Sequence, residues 1–448
     1  MGAIKTTQVP LSNTDTAGNG TWLELRSDGK LGFIEYVGGV VWNFETNRLF
    51  LDPTSWYHIV IAGDSTQATN ANKLKIYING GSAETFSSST YASTNTDWQW
   101  NKEMSGTSNG WKIGESYSSS SNNEGYLAHI HNVDGSALAP TVFGETDSTT
   151  GEWKPILAPT GITYGTNGWF LKFENSSALG TDSSGNGTTF SVTGDLKQSI
   201  STPTNNFCTL DPNQSYNAYV TYAGTATLGT STTATGANST LMVKDGKWYA
   251  EFKVETDRTT SNGVTIGIYK NGTYASRVWI NSGSTAIPGN ETGSNGCEGI
   301  SYQPMTSTPN IIDAGGGGTV NYGTTASAND IIMMAFDLST ATSKIWWGRN
   351  GTWFNAPGTS NVGNPATGAN AGLSFAKGDE FWGVNVTAVN NQADNANKTL
   401  WCNFGEGRFG TTAISSQGTS STGDKSKWEY NCPTGFYGLN TKNIRNYG

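Results

Sequence analysis

Residues 343–354, SKIWWGRNGTWF, place an Asn-Gly pair between two segments that are rich in aromatic and β-branched residues. Because Asn-Gly readily supplies the two positive φ angles of a tight turn, this stretch predicts a β-hairpin, with extended chain at 344–349 and 352–354. Side chains alternate between the two faces of a strand, so Trp346 and Trp347 must point in opposite directions. We expect one ring in a core and the other on the opposite face or at a subunit contact.

The same pattern recurs in KLKIYINGGSAETF (73–86) and in VTIGIYKNGTYASRVW (264–279). No long window has the 3.6-residue apolar period of a helix, and the 57 glycines interrupt most candidates. The segment 175–207 is polar, rich in Gly and Ser, and almost free of large apolar residues before Phe190. These patterns predict an all-β protein of two antiparallel β-sandwiches, with a linker at 177–206.

Charge and apolar run length argue against two classes of partner, nucleic acids and membranes. The chain has 26 Lys and Arg against 35 Asp and Glu, a net charge of -9, and no basic run that could neutralise phosphates, so we expect no nucleic-acid binding. It contains no stretch of 18 apolar residues, so we expect no membrane span. The opening MGAIKTTQVP lacks the charged-then-apolar build of a signal peptide, so we expect no export by that route.

The cysteines indicate neither a zinc site nor a disulfide framework. Cys208, Cys297, Cys402 and Cys432 are far apart and form no CxxC pair, so buried thiols are expected. A Cys208–Cys432 pair stays open as an alternative, because these residues flank the second half of the chain.

Enzymatic chemistry has weak support in the sequence. The nearest approach to alternating catalytic acids is Glu145 and Asp147, and Thr149 occupies the third place. His129 and His131 would share one strand face, but no third metal ligand lies nearby, so we interpret them as an ordinary strand face. We therefore expect no catalytic residue and no enzymatic activity.

The first half resembles the concanavalin A-like, laminin G-like domains of tailed-phage structural proteins, especially those of marine phages. The resemblance rests on RLFLDPTSWYHIVIAGDSTQATNANKLKIYING (48–80), EGYLAHIHNVDGSALAPTVFGETDSTTGEWKPI (124–156) and YGTNGWFLKFENSSALGTDSSGNG (164–187). The domain would occupy 21–176 and lacks the leading strands that are usual in that family. Residues 1–20, which contain Pro10, are therefore interpreted as an N-terminal arm that docks onto another protein, with a frayed terminus as the alternative.

The second half resembles a SPRY domain, which is another two-sheet sandwich and a usual companion of the first domain in phage proteins. The resemblance rests on GKWYAEFKVE (246–255), NDIIMMAFDLSTATSKIWWGRNGTW (329–353), DEFWGVNV (379–386) and LWCNFGEGRFG (400–410). The domain would occupy 207–448 with a C-terminal extension.

The resemblance implies a virion protein, assembled in the host cytoplasm and exposed on the particle. It would be a tail fibre, appendage or adhesin that contacts other virion proteins and host-surface glycans. Homotrimers are common among phage fibres, so we expect a homo-oligomer, with a trimer favoured. A capsid decoration or head-fibre subunit with a purely structural role is the alternative, and a polysaccharide depolymerase is a third hypothesis.

Ligand contacts are expected from aromatic rings in polar loops, because sugars stack on such rings. Trp98 and Trp100 lie in DWQW (97–100). In the second half, Tyr302 and Trp353 belong to two of the three long polar loops, which cover 302–309, 353–357 and 390–397.

No cofactor is required by any of these hypotheses. Calcium is nevertheless a candidate in the first domain, since laminin G-like domains often hold a hard cation at one rim. The acids in matching positions are Asp64, Glu124 and Asp134.

Overall fold

The computed structural model describes residues 7–15, 17–102, 110–116, 121–194, 196–216, 219–221, 226–229, 235–255, 264–270, 299–306, 308–313, 318–388 and 398–448. It divides the chain into two compact units, Met1–Ser199 and Ile200–Gly448. The described residues are nearly all in strands and connecting loops, with two short helices, so the all-β prediction is confirmed. Neither helix has the length and apolar character that a membrane crossing needs.

The first unit is built on a six-stranded antiparallel sheet in the order β7-β4-β3-β2-β1-β8, opposed by the hairpin β5–β6. Its core lies between them and includes Phe33, Trp42 and Phe44 from the large sheet and Leu74 and Ile76 from β6. The strands are β1 (Gln8–Thr14), β2 (Gly20–Leu25), β3 (Lys30–Tyr36), β4 (Val40–Leu49), β5 (Ile59–Gly63), β6 (Leu74–Ile78), β7 (Phe86–Thr90), β8 (Gly110–Ile113), β9 (Ile130–Asn132), β10 (Gly144–Thr146), β11 (Trp153–Pro155) and β12 (Trp169–Leu171); helix α1 spans Asn70–Lys73, and 3-10 turns span Gln99–Asn101 and Pro140–Val142.

The arm expected at 1–20 is in part a sheet strand. Residues 8–14 form β1, which pairs with β2 on one side and with β8 on the other. Pro10 fits because the β1–β2 register shifts between Gln8 and Leu11, so its missing N–H interrupts no regular ladder. The side chains of Ser12 and Asn13 are fully buried, as in an internal strand.

The expected linker at 177–206 also differs from the structure. Its first part packs on the first unit: Leu179 is buried, Asp182 accepts a hydrogen bond from the Phe170 amide at 2.9 Å, and Phe190 contacts Trp169 edge to face at 5.0 Å. Along the chain, the boundary between the two units falls between Ser199 and Ile200. Apolar residues are sparse in this segment, but a few of them suffice to anchor it.

The second unit is a sandwich of a seven-stranded sheet, β13-β16-β26-β18-β19-β20-β21, and a nine-stranded sheet whose main path is β14-β15-β27-β17-β22-β23-β24. Its main core lies between the sheets, where Ile266 and Val386 face Phe252 and Met334. The strands are β13 (Leu210–Tyr216), β14 (Tyr219–Thr221), β15 (Ala226–Gly229), β16 (Thr235–Val243), β17 (Lys247–Val254), β18 (Val264–Lys270), β19 (Gly299–Gln303), β20 (Asn310–Asp313), β21 (Gly318–Asn321), β22 (Ile331–Asp337), β23 (Thr342–Arg349), β24 (Thr352–Trp353), β25 (Leu373–Ala376), β26 (Trp382–Ala388), β27 (Lys398–Asn403), β28 (Arg408–Phe409), β29 (Thr412–Ala413) and β30 (Tyr437–Gly438); a 3-10 turn spans Pro365–Thr367 and helix α2 spans Thr441–Tyr447.

The hairpin predicted at 343–354 is β23–β24, and Asn350 and Gly351 have φ angles of 49° and 86° in its turn. Trp346 and Trp347 do point in opposite directions, yet both are fully buried. Trp347 belongs to the main core, whereas Trp346 belongs to a second core on the outer face of the sheet. Trp346 therefore lies on the opposite face, as expected, but it is buried there instead of forming a subunit contact.

The C-terminal segment explains this second core. Trp428, Cys432 and Phe436 pack over Tyr249 and Trp346 and shield the outer face of the nine-stranded sheet. Cys208, Cys402 and Cys432 are all buried free thiols, so Cys208 and Cys432 do not pair. Cys297 lies outside the described residues.

Candidate functional site

A recess of about 500 Å³ opens at one end of the second unit. Three loops form it: the turn between β19 and β20, the segment after β21, and the segment after β24. The recess therefore collects loops from both sheets of the sandwich, at an end where recognition loops are usual. Its lining residues are Thr308, Pro309, Asn321, Tyr322, Gly323, Thr324, Thr325, Asn355, Ala356, Pro357 and Gly358.

Buried tyrosines hold the floor of the recess in place. The Tyr322 hydroxyl donates to the Trp347 carbonyl oxygen at 3.3 Å, and the Tyr302 hydroxyl donates to the Thr324 carbonyl oxygen at 3.3 Å. Tyr322 also packs edge to face against Tyr302 and Phe354, with ring centroids 5.8 and 5.7 Å apart. Burial raises the pKa of Tyr302 and of Tyr322 well above the usual range, so both hydroxyls remain donors at neutral pH.

Further bonds fix the rim. The Thr325 hydroxyl donates to the Thr306 carbonyl oxygen at 3.0 Å, and the Ala326 amide donates to the Pro304 carbonyl oxygen at 2.8 Å. The loop after β21 is thus tied at several points to the loop after β19. A site whose backbone is fixed before binding loses less conformational entropy when a ligand arrives.

Four polar side chains at the recess have no hydrogen bond within the described part of the chain. They are exposed and carry both donors and acceptors: Thr308, Asn321, Thr324 and Asn355. Among the described lining residues, none is charged or carries a thiol or imidazole. Beside the recess, Arg349 donates to the Thr325 carbonyl oxygen and pairs with Asp330 at 3.5 Å. The described side chains of the recess can therefore exchange hydrogen bonds with a polar ligand.

The structure corrects one of the two aromatic residues expected to contact a ligand in the second unit. Tyr302 is fully buried in the core below the recess, so it cannot touch a ligand. Trp353 is half-buried and packs against Tyr249 at 6.2 Å in the outer-face core. Loops 302–309 and 353–357 both contribute to the recess, and loop 390–397 lies outside the described residues.

The two tryptophans expected to contact a ligand in the first unit are half-buried and pack on neighbouring rings. Trp98 stacks on the buried Trp42 with ring centroids 4.2 Å apart and an interplanar angle of 9°. Trp100 packs edge to face on Trp111 at 4.6 Å, and its Nε1 donates to Asn132 Oδ1 at 2.9 Å. Both rings contact the core and keep part of their surface exposed, so a ligand contact at Trp98 or Trp100 stays a prediction.

Two buried polar side chains hold the segment that carries these tryptophans. Asn13 Nδ2 donates to the carbonyl oxygens of Gln99, Trp100 and Lys102 at 2.9–3.0 Å. Glu35 Oε2 accepts from the Gln99 amide at 2.8 Å. Sequence reasoning missed both anchors, because they lie more than 60 positions before the segment they hold.

The proposed calcium ligands do not come together. Among the described residues, no group of three or more His, Cys, Asp or Glu side chains is placed to hold a metal ion. Asp64 instead closes its own turn by accepting from the amide and hydroxyl of Thr66 at 3.0 and 2.6 Å. Asp134 accepts from the Asn167 amide at 3.2 Å, and the Glu124 amide donates to Gln8 Oε1 at 3.2 Å. This donor set does not fit a calcium ion.

The other candidate groups have structural contacts. Glu145 and Asp147 both pair with Lys154, at 3.5 and 2.9 Å, across the hairpin β10–β11. A hydrogen bond from Lys154 holds the pKa of Asp147 well below its usual range, the opposite of what a catalytic acid requires. His131 stacks on Phe170 at 3.7 Å, and burial lowers the pKa of His131 to about 3.

Fold and recess together define a two-unit, all-β protein with an uncharged polar site at one end of its second sandwich. No protein-family model matches the chain, and no curated protein matches it. Among solved structures, the chain is similar to the SPRY domain of human HERC1, with 13% sequence identity and a TM-score of 0.29. That match covers 43% of this chain and 96% of the HERC1 domain. A similarity at this level carries no argument about function.

Proposed function

We propose that this chain is a non-enzymatic surface protein of a phage particle, a tail fibre, appendage or adhesin, and that its second unit binds host-surface glycans at the recess. The observation that carries the glycan part is the set of four exposed polar side chains without internal partners. Asn and Thr side chains both donate and accept hydrogen bonds, as sugar hydroxyls do. The particle part rests on the resemblance of both halves to phage virion domains.

Low affinity at one recess is compatible with this role. Tyr322 and Phe354 lie below the surface and leave no broad aromatic face for a sugar to stack on. A homo-oligomer, with a trimer favoured, would present several recesses on one particle, and linked sites bind far more tightly than single ones.

An exposed apolar hairpin in the first unit supports a second candidate, a decoration or head-fibre subunit that binds other virion proteins. Tyr36, Val37 and Val40 are 37%, 46% and 57% exposed. Tyr36 and Val40 face each other across the β3–β4 turn, and Val37 is exposed in the same turn. Clustered exposed apolar groups often mark protein contacts.

The position on the particle separates the two candidates. Immunogold labelling of intact source particles with an antibody to this chain, scored by electron microscopy, is the first experiment. Label on the tail tip or fibres supports the adhesin. Label over the head supports the decoration role, and the absence of label from every particle would refute both.

A further inference from the structure

We infer that the ligand of the recess is an uncharged, hydroxyl-rich saccharide and that it binds without a metal ion; this inference rests on the glycan binding proposed above. The eleven lining residues include no Asp, Glu, Lys, Arg or His. Their free polar groups are amides and hydroxyls, and each can donate as well as accept. Such a set matches a neutral hydroxyl better than it matches an anion, which needs donors, or a cation, which needs acceptors.

An anionic glycan would find no counter-charge among the described lining residues. Arg349 contacts the rim, and its guanidinium is already engaged by the Thr325 carbonyl oxygen and by Asp330. Stripping water from a carboxylate, sulfate or phosphate without a charged partner is costly. The net charge of -9 adds a long-range repulsion of anions.

Metal-bridged sugar binding lacks its ligands at this site. Hard cations such as Ca²⁺ take several carboxylate and carbonyl oxygens, and the lining supplies no carboxylate. The side chains of Asn321 and Asn355 must therefore contact the sugar directly. We expect their amides to hydrogen-bond pairs of neighbouring hydroxyls.

The size of the recess agrees with a small part of a longer glycan. About 500 Å³ lies within the roughly 300–1,000 Å³ of small-molecule sites. Ala356 and Pro357 supply the apolar part of the wall, against which the C–H groups of a sugar ring can rest. The ligand is thus a short neutral stretch of a surface polysaccharide, held mainly by hydrogen bonds.

The test uses the full chain on an array of neutral, uronic-acid, sialylated, sulfated and phosphorylated glycans, with and without EDTA, followed by titration calorimetry on the strongest binder. The site variant is Asn321→Ala/Asn355→Ala. The matched control is Asn446→Ala, which truncates an exposed asparagine in α2 that does not line the recess. Matching thermal unfolding curves would show that both variants are folded.

The expected result is binding to neutral glycans that EDTA leaves unchanged, a loss of about 10-fold or more in affinity for the double variant, and no change for the control. Strongest binding to anionic glycans, with the same sensitivity to the double variant, would overturn this inference and leave glycan binding in place. Loss of glycan binding in EDTA would also overturn this inference and leave glycan binding in place. Binding that the double variant does not weaken would refute the recess as the site, and no glycan binding at all would refute the proposed function itself.

Discussion

The backbone amide of Tyr430 donates a hydrogen bond of 2.9 Å to Oε1 of Glu251, which lies 179 residues earlier in the chain. Glu251 is fully buried on the outer face of β17. Its carboxyl also accepts from the Glu429 amide, the Tyr249 hydroxyl and Asn403 Nδ2 at 2.9, 3.0 and 3.2 Å. One side chain therefore ties the C-terminal segment to the sheet that the segment covers.

Glu251→Ala should lower the free energy of unfolding of the second unit by about 3 kcal/mol, because it leaves several buried donors without an acceptor. Denaturant unfolding near pH 6 measures the change. Asp379→Asn is the control, since that side chain is fully exposed and should change the free energy by less than about 0.5 kcal/mol. Equal effects of the two variants would contradict a tethering role for Glu251.

The Glu251 carboxyl also predicts that the free energy of unfolding of the second unit depends on pH. Burial raises the pKa of Glu251 to about 7 from a usual 4.5, although four hydrogen bonds oppose the shift. The folded unit then holds the proton more tightly than the unfolded chain does. The contribution of this proton to the free energy of unfolding is therefore complete below pH 4.5 and is lost as the pH rises through 7. Its size is about 3 kcal/mol. Unfolding series from pH 4 to 8 should show this decline in the native chain and a much flatter profile in Glu251→Gln.

The outer-face core should contribute as much to the free energy of unfolding as the core between two sheets does. Trp346 is fully buried there, packs edge to face on Phe436 at 6.1 Å, and donates from Nε1 to the Ala369 carbonyl oxygen at 2.9 Å. Trp346→Ala should cost about 3–5 kcal/mol of unfolding free energy. Trp353→Ala, at a half-buried ring on the same face, should cost clearly less. A small effect at Trp346 would mean that the C-terminal segment does not stay packed in solution.

Local signals in the sequence were enough for the 343–354 hairpin and for the turn at Asn79-Gly80, although β6 pairs with β5 and not with the strand that follows that turn. The turn expected within 264–279 lies outside the described residues. Asn79-Gly80 and Asn350-Gly351 both adopt the positive φ angles that the dipeptide predicts, because turn geometry depends on neighbouring residues only. The burial of Trp346 depends on Phe436, ninety positions later, so no pattern near Trp346 could reveal it. Tyr302 was placed in a loop, but it lies in β19, where its ring faces the other sheet. Loop composition located two of the three walls of the recess, and the wall after β21 was missed.

The hydrogen bonds by which Asn13 holds residues 99–102, called the clamp below, predict a local effect in the first unit. Asn13→Ala removes the donor for three carbonyl oxygens and should lower the free energy of unfolding by about 1–3 kcal/mol. Hydrogen exchange at the amides of 99–102 should accelerate in this variant. Asn47→Ala is the control, because its exposed side chain bonds only Thr85. Unchanged exchange at 99–102 in Asn13→Ala would contradict the clamp.

Two glycines of the recess separate backbone strain from steric fit. Gly323 and Gly358 have nearly equal φ angles of 77° and 74°, so alanine at either position pays a similar cost of about 1 kcal/mol for the left-handed conformation. A Cβ at Gly323 would lie 2.5 Å from the Tyr302 hydroxyl and 2.7 Å from a Phe354 ring carbon, whereas a Cβ at Gly358 meets open space.

Gly323→Ala should therefore destabilise the second unit by roughly 1–3 kcal/mol more than Gly358→Ala does, because the buried rings under the recess must move. Paired denaturant unfolding curves measure the difference. The bond from the Tyr302 hydroxyl to the Thr324 carbonyl oxygen should weaken at the same time, which hydrogen exchange of the 321–326 amides can follow. Equal losses of stability in the two variants would show that the floor of the recess yields easily, and that its rings do not hold the loop after β21 in a fixed shape.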